Sequence, residues 1–275
     1  IQAWYESATP SSRGRPQRYS DLAITTVLVI KRVFRLTLRA AQGFIDSIFT
    51  LMNVPLRCPD YTSVSKRAKS VNVSFKTPTR GEIAHLVIDS TGLKVFGEGE
   101  WKVRKHGKER RRIWRKLHLA VDSNTHEIIC ADLSLNNVTD SEAFPGLIRQ
   151  THRKIRAASA DGAYDTRLCH DELRRKKISA LIPPRKGAGY WPGEYADRNR
   201  AVANQRLTGS NARWKWTTDY NRRSIAETAM YRVKQLFGGS LTLRDYDGQV
   251  AEAMALVRAL NKMTKAGMPE SVRIA

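Results

Sequence analysis

Residues 85–92 read His-Leu-Val-Ile-Asp-Ser-Thr-Gly, and they begin the part of the chain that decides the fold. Their apolar side chains predict a short buried strand, His85–Asp89, that ends in a carboxylate. A second strand of small residues, Ala157–Ala160, is followed by Asp161 and Gly162. An ionised carboxylate at the end of a buried strand is destabilising unless something compensates its charge. Both acids are therefore candidate metal ligands, although either one could simply cap the turn after its strand.

The elements around these two strands follow the order strand, hairpin, helix, strand, helix, strand, helix. This order predicts an α/β, ribonuclease-H-like fold, in which a mixed sheet is flanked by helices. If the two acid-bearing strands are neighbours, their carboxylates emerge at one edge of the sheet. The other predicted segments are the hairpin strands Ile113–Val121 and Glu127–Leu135, the helices Ser141–His152 (with Ser141 as its cap) and Thr166–Lys177, the strand Ala180–Ile182, and two helices over about 220–237 and 248–265.

The first of those two late helices supplies a third acid. Drawn as a continuous α-helix at about 100° per residue, it carries four polar residues within a stripe about 60° wide: Tyr220, Arg223, Glu227 and Lys234. The opposite, apolar face would pack on the sheet: Ile225, Ala229, Val233 and Leu236. Arg223 and Glu227 also have the spacing of an ordinary surface ion pair, and taken alone that interpretation is preferred. Together, three carboxylates can hold two divalent ions about 3.5–4 Å apart, and oxygen ligands favour Mg²⁺ or Mn²⁺ over zinc.

The charge of the chain indicates a polyanionic partner. Its 275 residues include 48 Lys and Arg against 26 Asp and Glu, a net charge of +22, and nucleic acid is the commonest partner of such a protein. The cysteines Cys58, Cys130 and Cys169 are few and far apart, so we expect a reducing compartment, the cytoplasm, with association to the nucleoid. The longest apolar stretch, 22–30, is too short to span a membrane. The sequence begins at Ile1 rather than Met, which predicts that an N-terminal piece is missing.

We expect two domains: a small all-α domain over 1–80 and the ribonuclease-H-like domain over 81–275. Three short helical patterns with a basic third helix are typical of a helix-turn-helix-like DNA-binding unit, although any small helical bundle would show them. Ser20 is a candidate N-cap for the first helix. Arg13 and Arg15, in the run Arg-Gly-Arg-Pro, have the composition of a minor-groove arm. The three patterns cover Asp21–Phe34, Arg39–Met52 and Thr62–Ser70.

Two basic and aromatic segments are further candidates for DNA contact. Lys102–Lys116 holds nine Lys or Arg among fifteen residues, which suits a phosphate clamp but also an ordinary solvated loop. Its candidate DNA-binding residues are Arg110, Arg111, Arg112, Arg115 and Lys116. An insertion around 185–218 adds seven basic residues and three tryptophans. Trp191, Trp214 and Trp216 could stack on an extruded base, or they could pack on the sheet.

The segment Tyr220-Asn-Arg-Arg-Ser-Ile-Ala-Glu-Thr-Ala-Met-Tyr-Arg-Val-Lys234 fits the signature Y-x2-R-x3-E-x6-K of bacterial insertion-sequence transposases with a DDE active site. Residues 87–92 and 160–165 resemble the first and second acidic blocks of that family. The chain is similar to the insertion-sequence-five type from about Gly81 onward, and its helical N-terminal segment is similar as well. The resemblance implies that Asp89, Asp161 and Glu227 bind two Mg²⁺ ions, for which Mn²⁺ can substitute. It also implies that Tyr220, Arg223 and Lys234 face the DNA backbone at the transposon end.

The function that the resemblance implies is that of a Mg²⁺-dependent DNA transposase. Such an enzyme binds the terminal inverted repeats of double-stranded DNA, hydrolyses the 3′ phosphodiester bonds at the element ends and joins the 3′-hydroxyls to target DNA. Pairing of two ends implies a homodimer or a higher oligomer in the synaptic complex. Two alternatives stay open: a metal-dependent ribonuclease-H-like nuclease or resolvase that cuts without joining, and a non-catalytic DNA-binding repressor of transposition. The presence of all three acids argues against the repressor.

Overall fold

A computed structural model of the chain describes residues 2–6, 18–75, 77, 81–95 and 113–267. The chain forms two compact units, and both are discontinuous in sequence. The first, which we call the helical unit, comprises residues 1–76, 94–113 and 233–263, and the second, the α/β unit, comprises residues 77–93, 114–232 and 264–275. The described residues 94, 95, 113 and 233–263 thus group with the N-terminal helices, whereas the domain boundary expected from the sequence places them in the α/β domain. Within the described ranges, no helix has the length and apolarity needed to cross a membrane.

The described residues form nine α-helices, six strands and three short 3-10 turns. The helices are α1 (Asp21–Val33), α2 (Leu38–Leu51), α3 (Tyr61–Arg67), α4 (Asp140–Ile148), α5 (Arg167–Arg175), α6 (Ala196–Thr208), α7 (Ala212–Thr217), α8 (Ser224–Phe237) and α9 (Tyr246–Ala266). The strands are β1 (Ile83–Val95), β2 (Trp114–Asp122), β3 (Ile128–Leu135), β4 (Ile155–Ser159), β5 (Ser179–Leu181) and β6 (Ser240–Leu241). The 3-10 turns cover Gln2–Trp4, Gly162–Tyr164 and Tyr220–Arg223.

In the helical unit, side-chain caps set the starts of α1, α2 and α3. The side chains of Ser20, Thr37 and Asp60 accept hydrogen bonds from the first backbone N–H groups of these helices, which satisfies donors that have no partner within the helix. The predicted cap at Ser20 is confirmed. The apolar core of this unit includes residues of α9 as well as of the N-terminal helices: Ile24, Leu28, Ile45, Val64, Ala251 and Ala255.

A buried ion cluster links the end of α1 to α9 within the helical unit. Glu252 lies 2.9 Å from Lys31 Nζ and 2.9 Å from Arg32 Nη1, and all three side chains are buried. The carboxylate also accepts the backbone N–H groups of Thr242 at 2.7 Å and Leu243 at 3.0 Å. Burial raises the pKa of Glu252, but the two cations and the hydrogen bonds outweigh it and lower that pKa. The carboxylate is therefore charged and fully paired, which is the condition for a buried ion pair to be stable.

The α/β unit is built on a mixed sheet with the order β3-β2-β1-β4-β5. The hairpin strands β2 and β3 are antiparallel, while β1, β4 and β5 run parallel to one another. Helices α4 and α5 cover the sheet, as their shared core with the strands shows. This arrangement confirms the predicted α/β, ribonuclease-H-like fold. The core side chains include Leu86, Ile88, Phe144, Leu147, Ala158, Tyr164, Leu173 and Ile182.

Several local predictions were wrong, each for an identifiable reason. Strand β1 does not end at Asp89 but continues to Val95, because Lys94 and Val95 pair with the distant strand β6. Helix α4 is capped by Thr139 rather than Ser141, since Thr139 and Glu142 form a reciprocal capping box. The insertion around 185–218, to which the sequence assigned no helix, contains the two helices α6 and α7.

Candidate functional site

Two of the three predicted acids come together because their strands are parallel neighbours. Val87 of β1 lies opposite Ser159 of β4, and Asp89 and Asp161 each follow two residues later in the chain. Backbone N–H groups orient both carboxylates: Ser90 N donates to Asp89 at 2.9 Å, and Ala163 N donates to Asp161 at 2.8 Å. Asp161 therefore does cap the turn after its strand, and the register places it just past the end of β4, beside Asp89 of β1.

Arg223 joins this pair to Glu227. Its Nη1 donates a hydrogen bond of 3.0 Å to Asp89 Oδ2, while its Nη2 donates to Glu227 Oε1. The arginine side chain is 21% exposed, that of Asp89 is 18% exposed, and that of Glu227 is 56% exposed. The i,i+4 ion pair expected from the sequence is present, but the same guanidinium also bridges to the acid on β1. A single cation thus contacts two of the three predicted metal ligands.

The charges at this site act on one another. Burial raises the pKa of Asp89, and the carboxylates of Asp161 and Glu227 raise it further, against the lowering effects of the Ser90 N–H and of Arg223. Burial alone would lower the pKa of Arg223, but Tyr220, Asp89 and the other acids keep it above its usual value. The three carboxylates therefore share one electrostatic field, with a permanent positive charge between them.

The residues present suit a divalent ion by their chemistry. Carboxylate oxygens are the donors that Mg²⁺ and Mn²⁺ prefer. Asp89 and Asp161 supply them from neighbouring strands, and Arg223 joins Asp89 to the carboxylate of Glu227. As the described side chains are placed, however, no group of three or more His, Cys, Asp or Glu residues is arranged to hold a metal ion. The positive charge between Asp89 and Glu227 comes from Arg223 instead.

Asp140 is a fourth acid near this site, and sequence reasoning missed it. It accepts a hydrogen bond of 2.9 Å from the hydroxyl of Ser90, the residue that orients Asp89. Lys116 Nζ lies 3.5 Å from Asp140 and donates to the carbonyl of Val138 at 2.9 Å. Lys116, predicted to contact phosphate, is thus held by partners within the α/β unit. The sequence signal that could have pointed to Asp140 is the capping box of Thr139 and Glu142, because this capping box places the first residue of α4 at Asp140.

The buried carboxylate of Asp165 fixes the loop that follows Asp161. Arg198 donates to both oxygens of Asp165, at 2.7 and 3.2 Å, and the backbone N–H of Arg185 donates at 3.2 Å. The guanidinium of Arg198 stacks on the ring of Trp191, 3.6 Å from its centroid. Burial raises the pKa of Asp165, but these contacts and a nearby His170 lower it to about 2. The insertion at 185–218, to which Arg198 and Trp191 belong, therefore holds this loop in place.

Tyr220 does not lie on the exposed stripe that a continuous helix would give it. Residues Tyr220–Arg223 form a 3-10 turn, and α8 begins only at Ser224. The Tyr220 ring is 6% exposed and packs on Trp214 with centroids 5.5 Å apart. Burial raises the pKa of its hydroxyl to about 12. The predicted four-residue stripe is thus wrong at Tyr220, whereas Arg223 and Glu227 do lie together.

The apolar face of α8 also differs from the prediction. Ala229 and Val233 are buried as expected, but Leu236 is exposed. The other buried residues of α8 are Ala226, Met230 and Phe237. Leu236 lies about 100° around the helix from the middle of these three. Lys234 is exposed on α8, in the part of that helix that belongs to the helical unit.

The remaining candidates for DNA contact fall in different surroundings. Arg13, Arg15 and the run Arg110–Arg112 lie outside the described residues. Arg115 is half-buried on β2. Of the three tryptophans in the insertion, Trp191 and Trp214 pack against neighbouring aromatic rings, whereas the side chain of Trp216 is 78% exposed.

Comparison with known proteins identifies the family to which the chain belongs. Residues 80–262 match a family model described as the transposase DDE domain, and residues 1–98 match a second model of the same description. The chain belongs to the DDE transposase family. The resemblance drawn from the three acidic blocks is therefore confirmed, and the protein is a DNA transposase.

Two solved structures are also similar to this transposase. One is the synaptic complex of piggyBac transposase with hairpin DNA, at 12% identity over 96% of this chain and 71% of that one, with a TM-score of 0.37. The other is a pre-cleavage Mos1 transpososome, at 11% identity over 94% of this chain and 82% of that one, with a TM-score of 0.26.

Proposed function

We propose that this transposase hydrolyses the 3′ phosphodiester bonds at the ends of its element and joins the 3′-hydroxyls to target DNA. Asp89, Asp161 and Glu227 would hold two Mg²⁺ ions, for which Mn²⁺ can substitute. The observation that carries the proposal is the convergence of Asp89 and Asp161 on neighbouring parallel strands, with Glu227 joined to Asp89 through Arg223.

Hydrogen bonds within the chain orient these carboxylates for metal binding. Divalent ions, when bound, stabilise the attacking and leaving oxygens of an in-line displacement at phosphorus. The residues described here orient the acids and place a positive charge beside them. The N–H of Ser90 fixes one oxygen of Asp89, the N–H of Ala163 fixes one oxygen of Asp161, and the positive charge of Arg223 offsets their mutual repulsion.

DNA contacts follow from the distribution of basic residues. We expect the helical unit to bind the terminal inverted repeats, with Arg13 and Arg15 in the minor groove. Its α2–α3 side has a groove of about 620 Å³ whose lining includes four cations: Arg18, Arg57, Lys66 and Arg67. The residues that would neutralise phosphates are Arg110, Arg111, Arg112, Arg115 and Lys116, together with Arg223 and Lys234. The buried ring of Tyr220 suits a role in holding the turn that presents Arg223. Two such chains would pair two element ends.

The decisive experiment removes one carboxylate charge at a time. Asp89→Asn, Asp161→Asn and Glu227→Gln should each abolish Mg²⁺-dependent nicking of an end fragment while gel-shift binding survives or tightens, because less negative charge faces the DNA. Glu194→Gln, an exposed acid elsewhere in the α/β unit, is the matched control and should nick normally. Near-normal nicking by any of the three active-site variants would remove that acid from the proposed site.

Joining separates a transposase from the two alternatives. A pre-cut end with a free 3′-hydroxyl, incubated with a supercoiled plasmid, should become covalently linked to it. A nuclease or resolvase would cut the intact end but leave the pre-cut end unjoined, and a repressor would do neither.

A further inference from the structure

Arg223 occupies a position that a metal ion would otherwise need. Its guanidinium donates hydrogen bonds to Asp89 Oδ2 and to Glu227 Oε1. Asp89 and Glu227 are two of the three acids proposed to bind metal. The side chain is largely buried, so this contact is more than a mobile surface ion pair. A planar guanidinium fork suits such a bridge because it donates in two fixed directions at once.

Two kinds of cation thus compete for the same oxygens. Without a positive charge, the carboxylates of Asp89, Asp161 and Glu227 would repel one another, because like charges placed close together disfavour one another. Arg223 supplies that charge from within the chain. A divalent ion can take the same oxygens only if the guanidinium leaves them. Phosphate is the group best able to draw it away, because arginine binds phosphate with the same bidentate geometry as carboxylate.

We propose that Arg223 is an internal counter-ion that closes the carboxylate site in DNA-free transposase and moves to a phosphate when DNA binds, which frees Asp89 and Glu227 for divalent ions. The inference rests on the proposed metal site and adds its regulation. Under this inference, the affinity of the carboxylates for divalent ions depends on whether DNA is bound. By linkage, DNA and metal must then raise each other's affinity by the same factor.

The test measures Mn²⁺ binding rather than cleavage. Free Mn²⁺ is followed by electron paramagnetic resonance in solutions of the 275-residue chain, first without DNA. Arg223→Gln should bind Mn²⁺ about tenfold more tightly than the wild type, since two charge-assisted contacts no longer compete for the carboxylates. Arg222→Gln is the matched control, because this neighbouring arginine donates to Asn124 at 3.1 Å instead of to the acids. It should leave the Mn²⁺ affinity unchanged.

A short duplex added to the same samples completes the test. It should tighten Mn²⁺ binding to the wild type and to Arg222→Gln, and have little further effect on Arg223→Gln. Equal or weaker Mn²⁺ binding by DNA-free Arg223→Gln, with a melting temperature like that of the wild type, would overturn the inference.

Asp89→Asn distinguishes failure of this inference from failure of the proposed metal site. If Asp89→Asn loses Mn²⁺ binding while Arg223→Gln gains none, the metal site stands and only the role of Arg223 is refuted. If Asp89→Asn binds Mn²⁺ like the wild type, the metal site itself is refuted, and the inference is refuted with it.

Discussion

Replacing Asp165 by Asn should destabilise the α/β unit strongly, although Asp165 is not one of the three proposed metal ligands. The carboxylate is buried against Arg198 and accepts the backbone N–H of Arg185. It lies four residues after Asp161, so the loop that carries this second proposed metal ligand depends on it. We expect Asp165→Asn to lower the free energy of unfolding and to weaken cleavage through that loop.

The size of the expected loss in the free energy of unfolding follows from the pKa of Asp165. Its pKa lies at about 2 in the folded protein against an ordinary value of 3.8, and each unit corresponds to about 1.4 kcal/mol. The charged form therefore contributes about 2 kcal/mol at neutral pH. Because the folded pKa is the lower one, this contribution is present above about pH 4 and disappears as the pH falls through about 2. Loss of the carboxylate also leaves Arg198 buried without a counter-charge, which brings the expected loss at pH 7 to about 3–5 kcal/mol.

Urea unfolding followed by tryptophan fluorescence measures this loss, since Trp191 stacks on Arg198. The difference between wild type and Asp165→Asn should be largest at pH 7 and should shrink by about 2 kcal/mol towards pH 2. Glu194→Gln is the control, because its side chain is 88% exposed and its nearest cation, Arg174, is 3.8 Å away. It should change stability by less than about 0.5 kcal/mol. Equal stability of the two variants at pH 7, or a difference that does not vary with pH, would refute the reasoning.

Three other perturbations have defined outcomes. Glu252→Gln should destabilise the helical unit by about 3–5 kcal/mol in urea unfolding, since Lys31 and Arg32 lose a buried partner; a change below about 1 kcal/mol would contradict this. Converting Arg110–Arg112 to Ala should make the slope of log K against log salt shallower by up to about 0.9 per lost phosphate contact, and an unchanged slope would mean that these residues do not touch DNA. Trp216→Ala should weaken DNA binding by about 1–3 kcal/mol if the exposed ring stacks on a base, without lowering the melting temperature.

Local patterns in the sequence were enough to predict much of the α/β unit. The hairpin and the two parallel strands follow from short-range hydrophobic periodicity, and the meeting of Asp89 with Asp161 follows from the pairing of those strands as parallel neighbours. The extension of β1 to Val95 could not be predicted in this way, because its partner β6 lies about 145 residues later in the chain.

The site was harder to predict than the sheet, because its details depend on packing between distant segments. The burial of Tyr220 against Trp214 accompanies a 3-10 turn that helical periodicity does not indicate. The spacing of Arg223 and Glu227 predicted their ion pair, but nothing local predicted that the same arginine reaches Asp89, 134 positions away. Asp140 was missed because its importance comes from its contact with Ser90, which only the fold creates.

The discontinuity of the helical unit has a consequence for how the protein is made. Its core needs Ala251 and Ala255 beside the helices that begin at Asp21, and its ion cluster needs Glu252. On the ribosome, residues 1–76 are therefore synthesised long before the segment 233–263 that completes their fold. At a translation rate of about 5–20 residues per second, several seconds or more pass between synthesis of the N-terminal helices and synthesis of that segment. A nascent transposase consequently acquires its complete helical unit only after strands β1–β5 have been translated, so a product of translation that ends before residue 233 would lack the segment that completes this unit.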